Sequence, residues 1–156
     1  MVSRRQALAC GLTDEAIVAN LTAARWRRVL RGVYSTTTGP LTRIAVMWAV
    51  LLRLGPGAAL SHQSAAELHG LGERATRIHV TVPADRRRTA LRGVSIHRSS
   101  RLDRARHPSR TPPQTTIEET VVDLTQSAAT VGAAASARPA TGRAAAPPGR
   151  VGSGRV

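Results

Sequence analysis

The stretch that decides the fold covers residues 2–37 and reads VSRRQALACGLTDEAIVANLTAARWRRVLRGVYSTT. Its first part, SRRQALACG, is typical of a short helix that ends at Gly11, because glycine adopts the left-handed conformation of a helix terminus without strain. Thr13 is a suitable cap for a second helix, and Asp14 and Glu15 fall in its first turn, where the helix dipole favours acids. Ile17 and Leu21 share one face of that helix. We therefore predict two helices joined by a tight turn.

A basic segment, RWRRVLRGVYSTT, follows the second helix directly. Val29, Val33 and Tyr34 favour two short strands, with a turn at residues 30–32. Two helices followed by a basic hairpin are the layout of a winged helix-turn-helix, in which the second helix enters a DNA groove. The expected fold class is α+β, with an N-terminal winged helix-turn-helix, a small mixed helical and β domain, and a disordered C-terminal tail.

The charge of the chain is strongly positive, with 23 basic residues against 9 acidic residues and a net charge of +14. Every basic residue other than histidine is arginine, and the sequence contains no lysine. Arginine pairs with phosphate and guanine through two parallel hydrogen bonds, which favours a nucleic-acid partner. A GC-rich genome also encodes arginine in preference to lysine and accounts for the missing lysines. The positive charge itself still calls for an explanation.

The remaining composition argues against a secreted or membrane protein. Cys10 is the single cysteine, so the chain forms neither an intramolecular disulfide nor a cysteine-based zinc site, and we expect a buried structural thiol. The N-terminus lacks the apolar stretch of a signal peptide. The longest apolar run, residues 44–52, is too short to span a membrane. A soluble cytoplasmic protein is expected.

Three regions are predicted along the chain: a winged helix-turn-helix at residues 1–38, an α+β domain at 39–127, and a tail at 128–156. In the second region LTRIAVMWAVLLRLG, ALSHQSAAELHGL and TTIEETVVDLTQ indicate helices, and RIHVTVP and GVSIHRSS indicate strands. Ile44 and Met47 are expected on the buried face of the first helix, and Ile117, Val121 and Leu124 on that of the last. The tail is rich in Ala, Arg, Pro and Gly, which predicts disorder. It is either a selected basic tail or the out-of-frame product of a GC-rich gene.

The candidate DNA-binding residues are mostly arginines of the first region. Phosphate contacts are predicted for Arg25, Arg27, Arg28 and Arg31 of the wing. Further contacts to the DNA backbone are predicted for Arg4 and Arg5, at the start of the first helix. A bidentate contact to adenine is predicted for Asn20 of the second helix. The alternative is a solvated charged surface, which is what most runs of charge represent.

Other polar residues do not indicate catalysis. His62 and His69 lie two helical turns apart, about 10 Å, which is too far for one metal ion, so we expect His62 to bond backbone near a helix start. His79 and His97, on two predicted strands, are placed across from one another, as surface or interface residues. Glu119 and Asp123 resemble a Mg²⁺ pair, but pairing with nearby cations is the favoured interpretation. No enzyme activity, metal or cofactor is predicted.

Five blocks in order resemble the actinobacterial AbiEi-type antitoxins of type IV toxin-antitoxin systems, across roughly residues 2–126: SRRQALACGLT, RWRRVLRGVYSTTTGPLT, ALSHQSAAELHGL, IHVTVP and RTPPQTTIEETVVDL. The resemblance implies a winged helix-turn-helix that binds double-stranded operator DNA and represses its own operon. It also implies a following domain that counteracts a nucleotidyltransferase-like toxin through indirect antagonism, with no membrane partner.

The chain departs from that family in three ways. Family members usually carry an additional helix upstream of the first helix found here, and many carry a C-terminal endonuclease-like portion. Their second helix tends to contain several arginines, whereas this chain has Asp14, Ala16, Ala19 and Asn20 there. The sequence is therefore expected to be a family member shortened at one or both ends. The alternatives are the non-catalytic part of an endonuclease-like fusion and a non-functional gene fragment.

Overall fold

The computed structural model describes residues 1–86 and 90–136, and this part of the chain has a mixed α+β fold. It contains six helices and two three-stranded sheets. The elements in chain order are β1 (Val2–Ser3), α1 (Arg4–Ala9), α2 (Asp14–Thr22), β2 (Arg27–Leu30), β3 (Val33–Ser35), α3 (Arg43–Leu54), β4 (Ala59–Leu60), α4 (His62–His69), β5 (Ile78–Pro83), β6 (Val94–Ser99), α5 (Leu102–Ala105) and α6 (Ile117–Ser136).

The first five elements form an N-terminal unit with its own small core. Its sheet has the order β1-β3-β2 with antiparallel pairing, and α1 and α2 lie between β1 and β2 in sequence. Gly11 (φ 86°) and Gly32 (φ 72°) make the turns after α1 and between β2 and β3, in a conformation that other residues adopt only with strain. Ala7, Ile17 and Tyr34 are buried together beneath the two helices. The two predicted helices and the hairpin are confirmed, whereas β1 was not predicted.

The second sheet organises the rest of the chain around a larger core. β4 pairs with β5 antiparallel, and β5 pairs with β6 parallel, in a register that places Ile78 beside Val94. Met47 and Val50 of α3 pack on Leu60 and Val80 from this sheet. The three predicted helices and two predicted strands are present, and β4 and α5 are additional elements.

Helix α6 turns a polar face inward, contrary to the apolar stripe expected from its sequence. Ile117 and Val121 are 45% and 46% exposed, whereas Thr120 is fully buried. The Thr120 hydroxyl donates to the Thr116 carbonyl (2.7 Å) and lies 2.7 Å from the Thr115 hydroxyl, so its burial leaves no polar atom unsatisfied. The prediction is therefore wrong for Ile117 and Val121, whereas Leu124, one turn after Thr120, is partly buried as expected.

Three further expectations are corrected. Cys10 is exposed at the end of α1 rather than buried. Ile44 is half exposed, so the buried face of α3 is narrower than its sequence suggested. Helix α6 continues to Ser136, so the first residues of the segment predicted to be a disordered tail are helical. The rest of that prediction falls on residues 137–156, which lie outside the described residues.

Candidate nucleic-acid interface

Each helix of the N-terminal pair begins at a side-chain cap. The Ser3 hydroxyl accepts from the Gln6 amide, and the Gln6 side chain accepts from the Ser3 amide, which completes a capping box for α1. The Thr13 hydroxyl accepts from the Ala16 amide at the start of α2. Hydrogen bonds from its own amide and from Thr13 lower the pKa of Glu15, so the acids in this turn act as capping groups.

Four of the predicted contact residues are bonded within the chain. The Arg4 guanidinium forms an ion pair with Asp14, which ties α1 to α2. Asn20 donates to the Ala16 carbonyl (2.9 Å) and accepts from Arg25 Nε (2.9 Å). A bidentate contact from Asn20 to adenine would therefore have to replace bonds that the fold already makes.

Arg27 is also held by the fold. Its Nη2 donates to the Gly39 carbonyl at 2.6 Å, and its Nε is buried with no hydrogen-bond partner in the described part of the chain. Arg27 therefore anchors the segment after β3 and is poorly placed to reach a phosphate.

The other predicted arginines are available to a ligand. Arg28 lies on β2 opposite Tyr34, and Arg31 lies in the turn before Gly32. Both are exposed, as is Arg5 on α1, and none of the three makes an ion pair within residues 1–86 and 90–136. A register shift between Arg28 and Leu30 marks a β-bulge, which interrupts the alternation of side chains along β2.

The outward face of α2 carries little positive charge. A shallow hollow on this face is lined by Asp14, Glu15, Val18 and Arg25, among others. Val18 is 59% exposed, and the two acids outweigh the one arginine in charge. This face therefore offers an apolar contact and no strong attraction for a phosphate backbone.

A cluster of three histidines lies on the second sheet, where α4 begins. His79 Nδ1 of β5 lies 3.1 Å from His97 Nε2 of β6. The two residues are diagonal neighbours, because His79 is opposite Ser95 and His97 is opposite Thr81 in the parallel pair. The His62 ring stacks on that of His97, with centroids 3.7 Å apart. His62 Nδ1 lies 3.1 Å from the Ser61 hydroxyl and 3.3 Å from Asp123 Oδ2 of α6. His62 therefore contacts side chains where a backbone contact was expected.

The protonation of this cluster is shifted by its surroundings. Burial, followed by the neighbouring His97 and His79, lowers the pKa of His62 from 6.5 to about 4. Burial also lowers the pKa of His79 and of His97, and raises the pKa of Asp123. The cluster is therefore neutral at physiological pH and opposes uptake of a proton.

The sequence contained a partial signal for this cluster. The two strands and the proximity of His79 and His97 were predicted, but the two residues are offset by two positions and do not lie opposite each other. The approach of α4 to the same face depends on the tertiary fold. His62 has a positive φ of 49°, which is rare for a residue other than glycine. Of the two acids considered from the sequence, Glu119 pairs with a cation, Arg101, at 3.8 Å. Asp123 instead lies beside the His62 ring, which is neutral at physiological pH.

Within the described residues, no group of three or more His, Cys, Asp or Glu side chains is arranged to hold a metal ion. None of the described helices has the length and apolar character needed to cross a membrane. No protein-family model matches the chain. No curated protein sequence matches it significantly.

Proposed function

We propose that this protein binds double-stranded operator DNA through its N-terminal unit and represses its own operon as an AbiEi-type antitoxin. The observation that carries the proposal is the set of exposed guanidinium groups of Arg5, Arg28 and Arg31, which have no ion-pair partner among residues 1–86 and 90–136 and lie beside a capped helix pair. Charged groups that are exposed and unpaired remain free to neutralise phosphates.

The arrangement of the N-terminal unit supports this proposal. Two helices lie between the first and second strands, and the hairpin of β2 and β3 follows the second helix. In winged helix-turn-helix proteins the second helix lies in the major groove while basic side chains around it contact the backbone. Here α2 is the candidate groove helix, and the hairpin is the candidate wing.

The expected mode of binding is dominated by phosphate contacts. Helix α2 presents Asp14 and Glu15 at its first turn, and its Asn20 is already hydrogen-bonded. Contacts to base edges are consequently few, and affinity comes mainly from the arginines, whose contribution falls as salt rises. Sequence preference then depends largely on DNA shape.

The resemblance to type IV antitoxins supplies the biological setting of the proposal. In that setting the operator lies upstream of the protein's own gene, and a nucleotidyltransferase-like toxin is encoded beside it. The region after the wing then counteracts the toxin through indirect antagonism, without a stable complex.

The test is fluorescence anisotropy with a labelled duplex from the region upstream of the gene, against a scrambled duplex, over a range of salt. Arg28→Gln should lower the slope of log affinity against log salt by about 1 and weaken both duplexes alike. Arg104→Gln is the matched control, because Arg104 is exposed on α5, which is not an element of the N-terminal unit.

Two results would contradict the proposal. Affinity that does not change between low and physiological salt would exclude phosphate contacts as its source. Equal losses in Arg28→Gln and Arg104→Gln would show that any surface arginine serves, and that the hairpin is not a specific interface.

A further inference from the structure

A cleft of about 550 Å³ separates the N-terminal unit from the C-terminal end of α3. Arg5 and Arg31 line it on one side, and Trp48 and Arg53 of α3 line it on the other, with Arg106 near the end of α5. A volume between about 300 and 1,000 Å³ is typical of sites that bind small molecules. The cleft is therefore large enough for a nucleotide-sized ligand.

The charge of this cleft is entirely positive. Four arginines line it, and none of its described lining residues is acidic. Within residues 1–86 and 90–136, none of these four guanidinium groups is hydrogen-bonded or ion-paired. By contrast, Arg43 donates to both Glu67 and the Ala75 carbonyl. The four arginines therefore line one cleft, and none of them has an ion-pair partner in the described part of the chain.

The end of α3 does not cancel this positive field. A helix C-terminus carries unsatisfied carbonyls and repels anions. Here Arg86 donates from Nη1 to the Leu54 carbonyl at 2.9 Å and from Nη2 to the Pro56 carbonyl. These two bonds satisfy carbonyls of the last turn and the following loop with a cation, so the anion-repelling end of the helix is neutralised beside the cleft.

We propose that this cleft binds a phosphate ester, with Arg53 and Arg106 acting together with Arg5 and Arg31 as its charge-assisted donors. Arginine matches phosphate geometry through its planar fork, and convergent, unpaired guanidinium groups are the chemistry that a phosphate requires. Trp48 adds an aromatic wall on which a nucleotide base can stack.

Two sources of the phosphate share this chemistry: a free nucleotide, and the backbone of DNA bound at the neighbouring hairpin. The proposal does not depend on DNA binding, because Arg53 and Arg106 lie outside the N-terminal unit. The two sources are separated by experiment with variants of these two residues.

The experiment is titration calorimetry with pyrophosphate, ADP and succinate, together with anisotropy on a short DNA duplex, for the wild type and for Arg53→Gln/Arg106→Gln. We expect pyrophosphate or ADP to bind saturably, and the double variant to weaken binding by about tenfold per guanidinium removed. Arg104→Gln is the control for net charge and should leave binding unchanged. Arg106→Gln alone serves as a second variant, because Arg106 is exposed and its replacement does not disturb the core.

The outcomes are distinct. Nucleotide binding that is lost in the double variant, with DNA affinity unchanged, identifies a free phosphate ester as the ligand. DNA affinity that falls with the same variant, without nucleotide binding, identifies the phosphate as that of the DNA backbone. Three results would overturn the proposal. Succinate binds as tightly as pyrophosphate, Arg104→Gln loses as much affinity as the double variant, or no probe binds in a way that depends on Arg53 and Arg106. Nucleotide binding in a protein that does not bind DNA would refute the proposed function and leave this inference standing.

Discussion

Acidification should destabilise the fold through the stacked histidines, and His62 allows the size of the effect to be calculated. In the folded protein the pKa of His62 is about 4, against an ordinary value of 6.5, because of burial first and the nearby His97 and His79 second. The unfolded chain therefore binds a proton more readily than the folded chain between these two pH values. Since stability falls wherever the unfolded state takes up more protons, the free energy of unfolding should fall as the pH drops from 6.5 towards 4.

The magnitude follows from the proton linkage of this one residue. At about pH 5 the difference in proton affinity corresponds to a loss of about 2 kcal/mol, and well below about pH 4 the loss approaches about 3 kcal/mol. The lowered pKa values of His79 and His97 act in the same direction and steepen the loss. Asp123 acts in the opposite direction, because burial raises its pKa and the folded state gains its proton first.

The assay is urea unfolding at a series of pH values, for the wild type and for His62→Asn. Asparagine does not titrate in this range and tolerates the positive φ of 49° at this position, so the variant removes the ionisation while it keeps the backbone conformation. We expect the variant to lose about 2 kcal/mol of the pH dependence between about pH 7 and pH 5. His107→Asn, outside the cluster, is the matched control. Equal stability of the wild type at both pH values, or an unchanged pH slope in His62→Asn, would refute the reasoning.

Three other predictions concern packing, a partly buried ion pair and the thiol. Met47→Ala should lower the free energy of unfolding by about 2–5 kcal/mol, because Met47 is fully buried. Ile44→Ala on the same helix should lower it far less, and urea unfolding of both variants tests this. Glu67→Gln should lower the free energy of unfolding by about 1–3 kcal/mol in the same assay. The Arg43 guanidinium is largely buried, and the variant leaves it with the neutral glutamine amide and the Ala75 carbonyl as its partners. Cys10 should react fully with a thiol reagent such as dithionitrobenzoate in the native protein, and protection until unfolding would contradict its exposure.

Local chemistry made much of the fold predictable. Gly11 and Thr13 mark the end of one helix and the start of the next, and the alternation in IHVTVP marks β5, because these signals act over a few residues. The two-residue strands β1 and β4 were not predictable. Strands that short carry no periodicity and form only because a partner strand lies beside them.

The candidate sites were less predictable, because they depend on contacts between distant segments. Arg4 meets Asp14 only when α1 and α2 fold against each other, and nothing in the sequence of the basic hairpin shows that Arg27 bonds the Gly39 carbonyl. The stripe of α6 failed for a related reason. Periodicity assumes that apolar residues face inward, but α6 buries Thr120, whose hydroxyl bonds to Thr116, and contacts α4 through Asp123 and His62.

The location of the unpaired charge is what connects the two proposals. Three of the nine acids form ion pairs that hold elements together: Asp14 with Arg4, Glu67 with Arg43, and Glu119 with Arg101. Most arginines of the described residues therefore have no acidic partner there, and mutual repulsion disfavours gathering them in one place. Arg5 and Arg31 nevertheless share one cleft with Arg53 and Arg106 next to the basic hairpin, although dispersal over the surface would cost less. An arrangement that raises the electrostatic free energy of the free protein is expected where a polyanionic ligand lowers it again on binding. In the described part of this chain, exposed arginines without an acidic partner lie close together at the hairpin of β2 and β3 and at the cleft.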